Sequence, residues 1–431
     1  MKIDYEKLTI YNDQNHNEID VKITVSGDWC PISGNMSNYI VKLDSDLYGD
    51  LLPLFDKSDY NFFNLETAID DSQNNTRSPW EFIDKSRVIS VFKDIKLNVA
   101  CLANNHILDG GVAGLNETIR CLDSQGIHHI GADLTVDKIY KPLLINKKKS
   151  NFAIINVADG EQSSEGLNNN IGSADLESYH VYDSIRNEKN NNSAVIVIVH
   201  AGIEFSPVPP PFITKIYQSY IDCGADIVIG HHPHVIQGCQ MYREKPIFYS
   251  LGHFYLYREN SRPQEKIGML LSISISKNNI SRIKLKPFKI QSDKISLLKG
   301  GELDKFKSKF KYLSDKCCNQ EFIHEFFCEY VNIKKYPLVF RRINNLYMYD
   351  HCKFFITVKK FTTSLNTRHL FMANGSSLKY NQEIISLINE YKLANKVYFL
   401  DRIYLMFKGV YKATHTLWVN IKLRSKKLIN L

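Results

Sequence analysis

The chain has 431 residues, of which 44% are hydrophobic and 23% charged, with a formal net charge of +8. That length and balance fit a globular protein of two or three domains, or one large α/β domain with an appendage, and no stretch reaches the roughly 20 uninterrupted apolar residues of a membrane-spanning helix. The nine cysteines are odd in number and scattered, which suits reduced, mostly buried thiols better than a disulfide framework, and Cys317 and Cys318 have no CxxC partner for a structural zinc.

In chain order, residues 22–28 (KITVSGD) alternate and then run apolar, which predicts a strand delivering Asp28 at its end. NFFNLETAI (61–69) repeats the arrangement with Glu66, and LNVACLANNHILD (97–109) repeats it with Asn104, Asn105 and His106. Val112, Leu115, Ile119 and Leu122 recur at helical spacing before Gly126, predicting an amphipathic helix. A strand near HHIGA follows, then KPLLINKKKSNFAIINVA as a hairpin. Residues 161–193, rich in Asn, Ser and Gly, predict loops around a short helix.

AVIVIVHAG (194–202) predicts a buried strand ending in His200. The Pro-rich PVPPP (207–211) leads into a helix through Ile213, Ile216, Tyr217 and Tyr220, capped at Gly224. The strand ADIVIG then ends in HHPH (231–234), and KPIFYSLGHF supplies one more strand. MLLSISISKNNISRIKLKPFKI predicts an antiparallel pair turned at Asn278–Asn279, closing the first domain at residue 291. Residues 292–431 form a basic, aromatic-rich extension, mainly helical, with one or two strands around FFITVKKF.

Asp28, Glu66, Asn105, His106, His200, His232 and His234 therefore all fall at predicted strand ends, which in an α/β sheet converge on one edge. Carboxylate, amide oxygen and imidazole suit Mn, Fe, Zn or Mg, and a bridging carboxylate with about six further ligands can hold two such ions. Two divalent metals support hydrolysis at a phosphoryl or carbonyl centre.

The motifs GDW (27–29), NLET (64–67), LANNHILDGG (102–111), HAGIE (200–204), GADIVIGHHPHVIQ (224–237) and YSLGHF (249–254) resemble, in order, those of the poly-γ-glutamate capsule biosynthesis (CapA-like) family, related to calcineurin-like metallophosphatases. The resemblance implies a four-layer α/β/β/α sandwich in residues 1–291. It implies Asp28 and His234 as ligands of one metal, Glu66 as the bridge, and Asn105, His200 and His232 as ligands of the other. His106 would be the general acid, oriented by Asp109, with Asn104, Glu204 and His253 lining the substrate cleft. Two departures stand out: Cys30 occupies the place of the His in the metallophosphatase Asp-x-His pattern, and His253 replaces the Asn usual in the Tyr-Ser-Leu-Gly-Asn-Phe motif.

The same resemblance implies a metal-dependent hydrolase of capsule or surface-polymer biosynthesis, partnered by an anionic polymer or its precursor and by a membrane-associated synthase. A non-catalytic polymer-binding accessory subunit is the rival reading, and a nucleotide or nucleic-acid phosphodiesterase a third, although nucleic acid is not the expected partner. The acidic and amide-rich N-terminus lacks the pattern of a signal peptide, so the expected location is cytoplasmic, at most peripheral to the inner membrane face. Residues 301–431 carry 23 Lys and Arg against 10 Asp and Glu, a basic tail fitted to an anionic partner or simply a solvated face.

Overall fold

A computed structural model describes residues 1–331 apart from 13–18, 31–44, 70–81, 84–88, 90, 93–94, 166–167, 169, 192 and 257–260. The chain divides into two compact units, Met1–Asn319 and Gln320–Leu431. Within the second, the helix Gln320–Val331 is described. The expected helices beyond it, and the strands around FFITVKKF, lie outside the described residues. Among the described residues, no helix is long and apolar enough to cross a membrane.

The first unit is mixed α/β and is built on two large sheets. The parallel heart of one sheet consists of β1 (Val21–Trp29), β2 (Tyr60–Leu65), β3 (Val99–Cys101) and β4 (His128–Ile130), side by side in that order. The other sheet holds β5 (Ser150–Ala158), β6 (Ala194–His200), β7 (Ile227–His231) and β8 (Lys245–Phe248), again parallel neighbours. All seven residues of β6 are buried, as a near-continuous Val/Ile run requires when both faces of a parallel strand are covered.

The sheets share one core. Val25, Phe62 and Cys101 of the first belong to the same apolar cluster as Ile154, Ile196, Ile198 and Ile229 of the second. Helix α1 (Gly111–Ser124) packs on the outer side of the first sheet, where Leu115, Cys121 and Leu122 join Phe63, Leu65 and Ala100. Helices α2 (Tyr179–Asn190) and α3 (Pro211–Cys223) contact the second sheet. Ser178 caps α2 with its side chain, and Pro211 opens α3, where its missing N–H costs nothing.

Several boundaries differ from the sequence expectation. Val112, assigned to the apolar face of α1, is 48% exposed, because it sits in the first turn before the helix meets the sheet; Gly114 and Thr118 occupy the buried face instead. KPIFYSLGHF is not one strand. It forms β8 in the second sheet, breaks at Gly252 (φ +66°), and resumes as β9 (His253–Tyr255), which pairs with β1 in the first sheet. The pair β10 (Ile267–Ser276) and β11 (Asn279–Ile290) turns at Lys277–Asn278, one residue earlier than expected, with both residues at positive φ as a tight hairpin demands.

The first unit also continues past residue 291. Helix α4 (Gly300–Cys317) buries Phe306, Phe310 and Leu313, and its Ser314 hydroxyl accepts the Cys239 backbone N–H at 3.0 Å. Cys30, Cys101, Cys121, Cys239 and Cys317 are buried.

Candidate metal centre

The parallel strands of both sheets end at one place. On the first sheet the register sets His253, Asp28, Asn64 and Cys101 across four neighbouring strands, with Glu66 just past β2 and Asn105 in the loop after β3. On the second, His200 pairs with His231, and the chain then turns through His232 and His234. Both of the latter have positive φ (93° and 59°), a strained choice for non-glycine residues. The turn is pinned by the His232 N–H donating to Asp28 Oδ2 (3.2 Å) and the Phe205 N–H donating to Pro233 O (2.8 Å).

Two groups of donors result: Glu66 with His200 and His232, and Asp28 with His234 and His253, each group's ligand atoms lying within 4.8 Å of one another. His200 Nε2 faces Asn105 Oδ1 at 2.9 Å, His232 Nδ1 at 3.1 Å and Glu66 Oε1 at 3.4 Å. Glu66 Oε1 also lies 3.6 Å from His234 Nε2, and His234 Nδ1 lies 3.2 Å from Asp28 Oδ2. One glutamate oxygen thus stands between the two groups.

This donor set fits a divalent metal. A single proton on His200 Nε2 can serve only one of its three facing acceptors, whereas a cation serves all of them at once. The spacings match the roughly 3 to 3.5 Å between neighbouring ligands that bonds of about 2.1 Å imply. Among the described ion pairs, both buried carboxylates face imidazoles: Asp28 faces His200 and His234, and Glu66 faces the same two rings.

Electrostatics point the same way. Burial pushes the Asp28 carboxyl up, but hydrogen bonds and charge from His200 and His234 outweigh it and hold the group well below the usual carboxylate range. Burial lowers His200 and His232, the latter further depressed by its histidine neighbours, so both are neutral and available as ligands near neutral pH. For His234 burial acts downward too, but the charges of Glu66 and Asp28 prevail and raise it.

The His106 Nδ1 lies 2.9 Å from Asp109 Oδ2, a contact that orients the ring. Glu204 is half-buried in the loop after β6. Asn104 departs from its expected role in lining the cleft: it is fully buried, its Nδ2 donates to Leu65 O and its Oδ1 accepts the His106 N–H, so both ends of the amide shape the loop. Cys30 is a buried thiol outside both donor groups. His231 is buried, and burial pushes it down to about 4 despite the nearby Asp28 charge and the Ser26 backbone, which act upward.

Three supporting residues escape a reading of strand ends. The Asn64 amide nitrogen donates to Asp28 Oδ1 (2.7 Å) and sits 2.8 Å from His200 Nδ1, tying a ligand of each group together. Asn156 on β5 accepts the Ala103 N–H and donates to Ile198 O, linking the two sheets beneath the site. Ser163 donates to Asn105 O at 2.7 Å, fixing the NNH loop. Asn64 has a signal in the sequence, since it stands two residues before Glu66 on the opposite strand face from Leu65; Asn156 and Ser163 have none.

Comparison with known proteins locates the similarity in this same region. The family model described as "Bacterial capsule synthesis protein PGA_cap" matches residues 22–258. The "PGA biosynthesis protein CapA" of Bacillus subtilis (strain 168) is 26% identical over 265 residues, covering 59% of this chain and 69% of that protein. The "Capsule biosynthesis protein CapA" of Bacillus anthracis is 26% identical over 248 residues, covering 56% of this chain and 60% of its own length. A "Probable polyglutamine synthesis accessory protein" of Mycobacterium tuberculosis (strain CDC 1551 / Oshkosh) is 26% identical over 222 residues, covering 48% and 58% respectively.

Proposed function

The chain belongs to the bacterial capsule synthesis protein PGA_cap family, and from that premise we propose that it is a metal-dependent hydrolase acting in capsule or poly-γ-glutamate biosynthesis. We read the two sheets with their outer helices as the four-layer α/β/β/α metallophosphatase-like sandwich. The observation that carries the proposal is Glu66 Oε1, 3.4 Å from His200 Nε2 and 3.6 Å from His234 Nε2, the position of a carboxylate shared by two ions.

In this reading Asn105, Glu66, His200 and His232 would hold one divalent ion and Asp28 and His234 would hold the other. A bound pair of Mn, Zn, Fe or Mg ions supplies Lewis acidity toward a phosphoryl or carbonyl centre and makes water a stronger acid at neutral pH. The chain's own residues do the rest. Asn64 holds Asp28 and His200 in register with each other. Asp109 keeps the His106 ring oriented so that Nε2 can deliver a proton to a departing oxygen or nitrogen. The substrate is a phosphoester, amide or ester bond in the polymer or its precursor, and the polymer and a membrane-associated synthase are the partners.

Hydrolysis assays on metal-stripped and metal-reloaded protein test this, using chromogenic phosphoesters and a γ-glutamyl anilide. The expected result is metal-restored turnover of one class that is lost in His106→Ala. A non-catalytic accessory subunit is the second reading, favoured by the accessory role in the name of the mycobacterial relative. Metal-loaded protein that binds poly-γ-glutamate yet hydrolyses none of the probes would decide for it.

A further inference from the structure

The half of the centre around Asp28 has a third donor, His253, which the family resemblance places only in the cleft lining. We infer that His253 is a metal ligand and completes a carboxylate-plus-two-imidazole set with Asp28 and His234; this rests on the proposed metal centre and specifies its second half.

Four observations converge on His253. Its ligand atom falls within 4.8 Å of those of Asp28 and His234. Its ring lies against the His234 ring at 4.5 Å between centroids and 15° between planes, so two buried imidazoles are stacked beside one carboxylate. It is 2% exposed, so the imidazole is held inside the protein beside the other two donors. Finally, the backbone is built to put it there.

That backbone arrangement is specific. Gly252 takes φ +66°, and a Cβ on Gly27 would stand 1.9 Å from Gly252 O. The Asp28 N–H donates to that same carbonyl at 3.2 Å. Two glycines thus let β9 close tightly on β1, and the register that follows sets His253 directly opposite Asp28. Cys30, two residues further along, lies outside the donor group; its backbone N–H is bound to Tyr255 O, on the same strand pair. An imidazole arriving across the sheet therefore takes the place that a thiolate two residues along β1 does not fill.

The chemistry has a consequence for metal choice. Two imidazoles and one carboxylate favour borderline ions such as Zn(II), Fe(II) or Co(II) over Mg(II), and the absence of a thiolate ligand keeps Cu(I) and Fe–S chemistry out.

Cobalt uptake tests the inference without any assay of turnover. Full-length wild type, His253→Ala, His253→Asn, His200→Ala and Cys30→Ser are stripped with chelator, reloaded with Co(II), desalted and measured for cobalt content and visible and near-ultraviolet absorption. Far-ultraviolet dichroism of the metal-free forms confirms folding, with the Asn variant as the milder change. The expected result is about two Co(II) per chain in wild type and Cys30→Ser, with no thiolate-to-cobalt band, and about one in both His253 variants. Two Co(II) and an unchanged spectrum in the His253 variants would overturn the assignment while leaving the centre standing. A single ion lost in His200→Ala but kept in His253→Ala would do the same. Wild type that takes up no cobalt would remove the metal centre itself, and His253 with it.

Discussion

The two halves of the centre are built differently. Glu66, Asn105, His200 and His232 arrive from four separate strand-to-loop junctions, each at the carboxyl end of its own strand, and meet across the gap between the two sheets. Asp28 and His253 instead stand opposite each other on adjacent strands of one sheet, with His234 reaching over from the second. The first half depends on the two sheets being correctly stacked; the second depends on two glycines letting two strands touch. Local sequence pattern encodes the first kind of arrangement and hides the second.

Glu66→Ala should have the largest effect, because its carboxylate faces both halves. Metal content should fall below one ion per chain by elemental analysis, whereas a loss confined to one ion would remove Glu66 from the bridging position. His106→Ala should sharpen the comparison from outside, lowering hydrolysis by about 10²–10⁴-fold while metal content stays at the wild-type level. A change in metal content would instead place His106 among the ligands.

Asn64→Ala removes the amide that contacts both Asp28 and His200, so it should weaken metal binding by roughly 10–100-fold in both halves rather than in one. Competition with a chelator of known affinity measures it, and selective loss from the Glu66 half would mean that the Asp28 contact is idle.

The smallest effect is on metal-free stability. Burial depresses His231 from 6.5 to about 4, and His200 and His232 shift in the same direction, while His234 moves the opposite way. A depressed histidine means that the unfolded chain takes up the proton first as the pH falls. Its contribution is therefore present above about pH 6.5 and lost progressively down to about pH 4, worth roughly 3 kcal/mol for His231 alone. Urea midpoints of the metal-free protein between pH 7.5 and 4.5 should fall accordingly, and His231→Leu should flatten the slope; equal slopes would show that His231 titrates alike in the folded and unfolded chain.

Much of this architecture is legible in the chain. Apolar runs ending in Asp28, Glu66, His200 and the HHPH turn mark parallel strands whose ends carry polar residues, and burying such side chains is too costly to be incidental. The Gly224 cap and the hairpin of β10 and β11 follow from turn chemistry, although Lys277–Asn278 rather than Asn278–Asn279 holds the turn. What is not legible is what depends on contacts distant in sequence. Period alone cannot tell that KPIFYSLGHF changes sheets at Gly252, because β8 and β9 are only four and three residues long, too short to show one. Nor can it tell that the Asn104 amide turns into the loop backbone while the neighbouring Asn105 faces His200.

The most direct measurement is anomalous diffraction from crystals soaked in Mn(II) and phosphate. The account predicts two anomalous peaks per chain, one among Glu66, Asn105, His200 and His232 and one among Asp28, His234 and His253, with phosphate reaching both beside His106. Crystals that diffract well yet carry no anomalous peak within reach of Glu66 would contradict it.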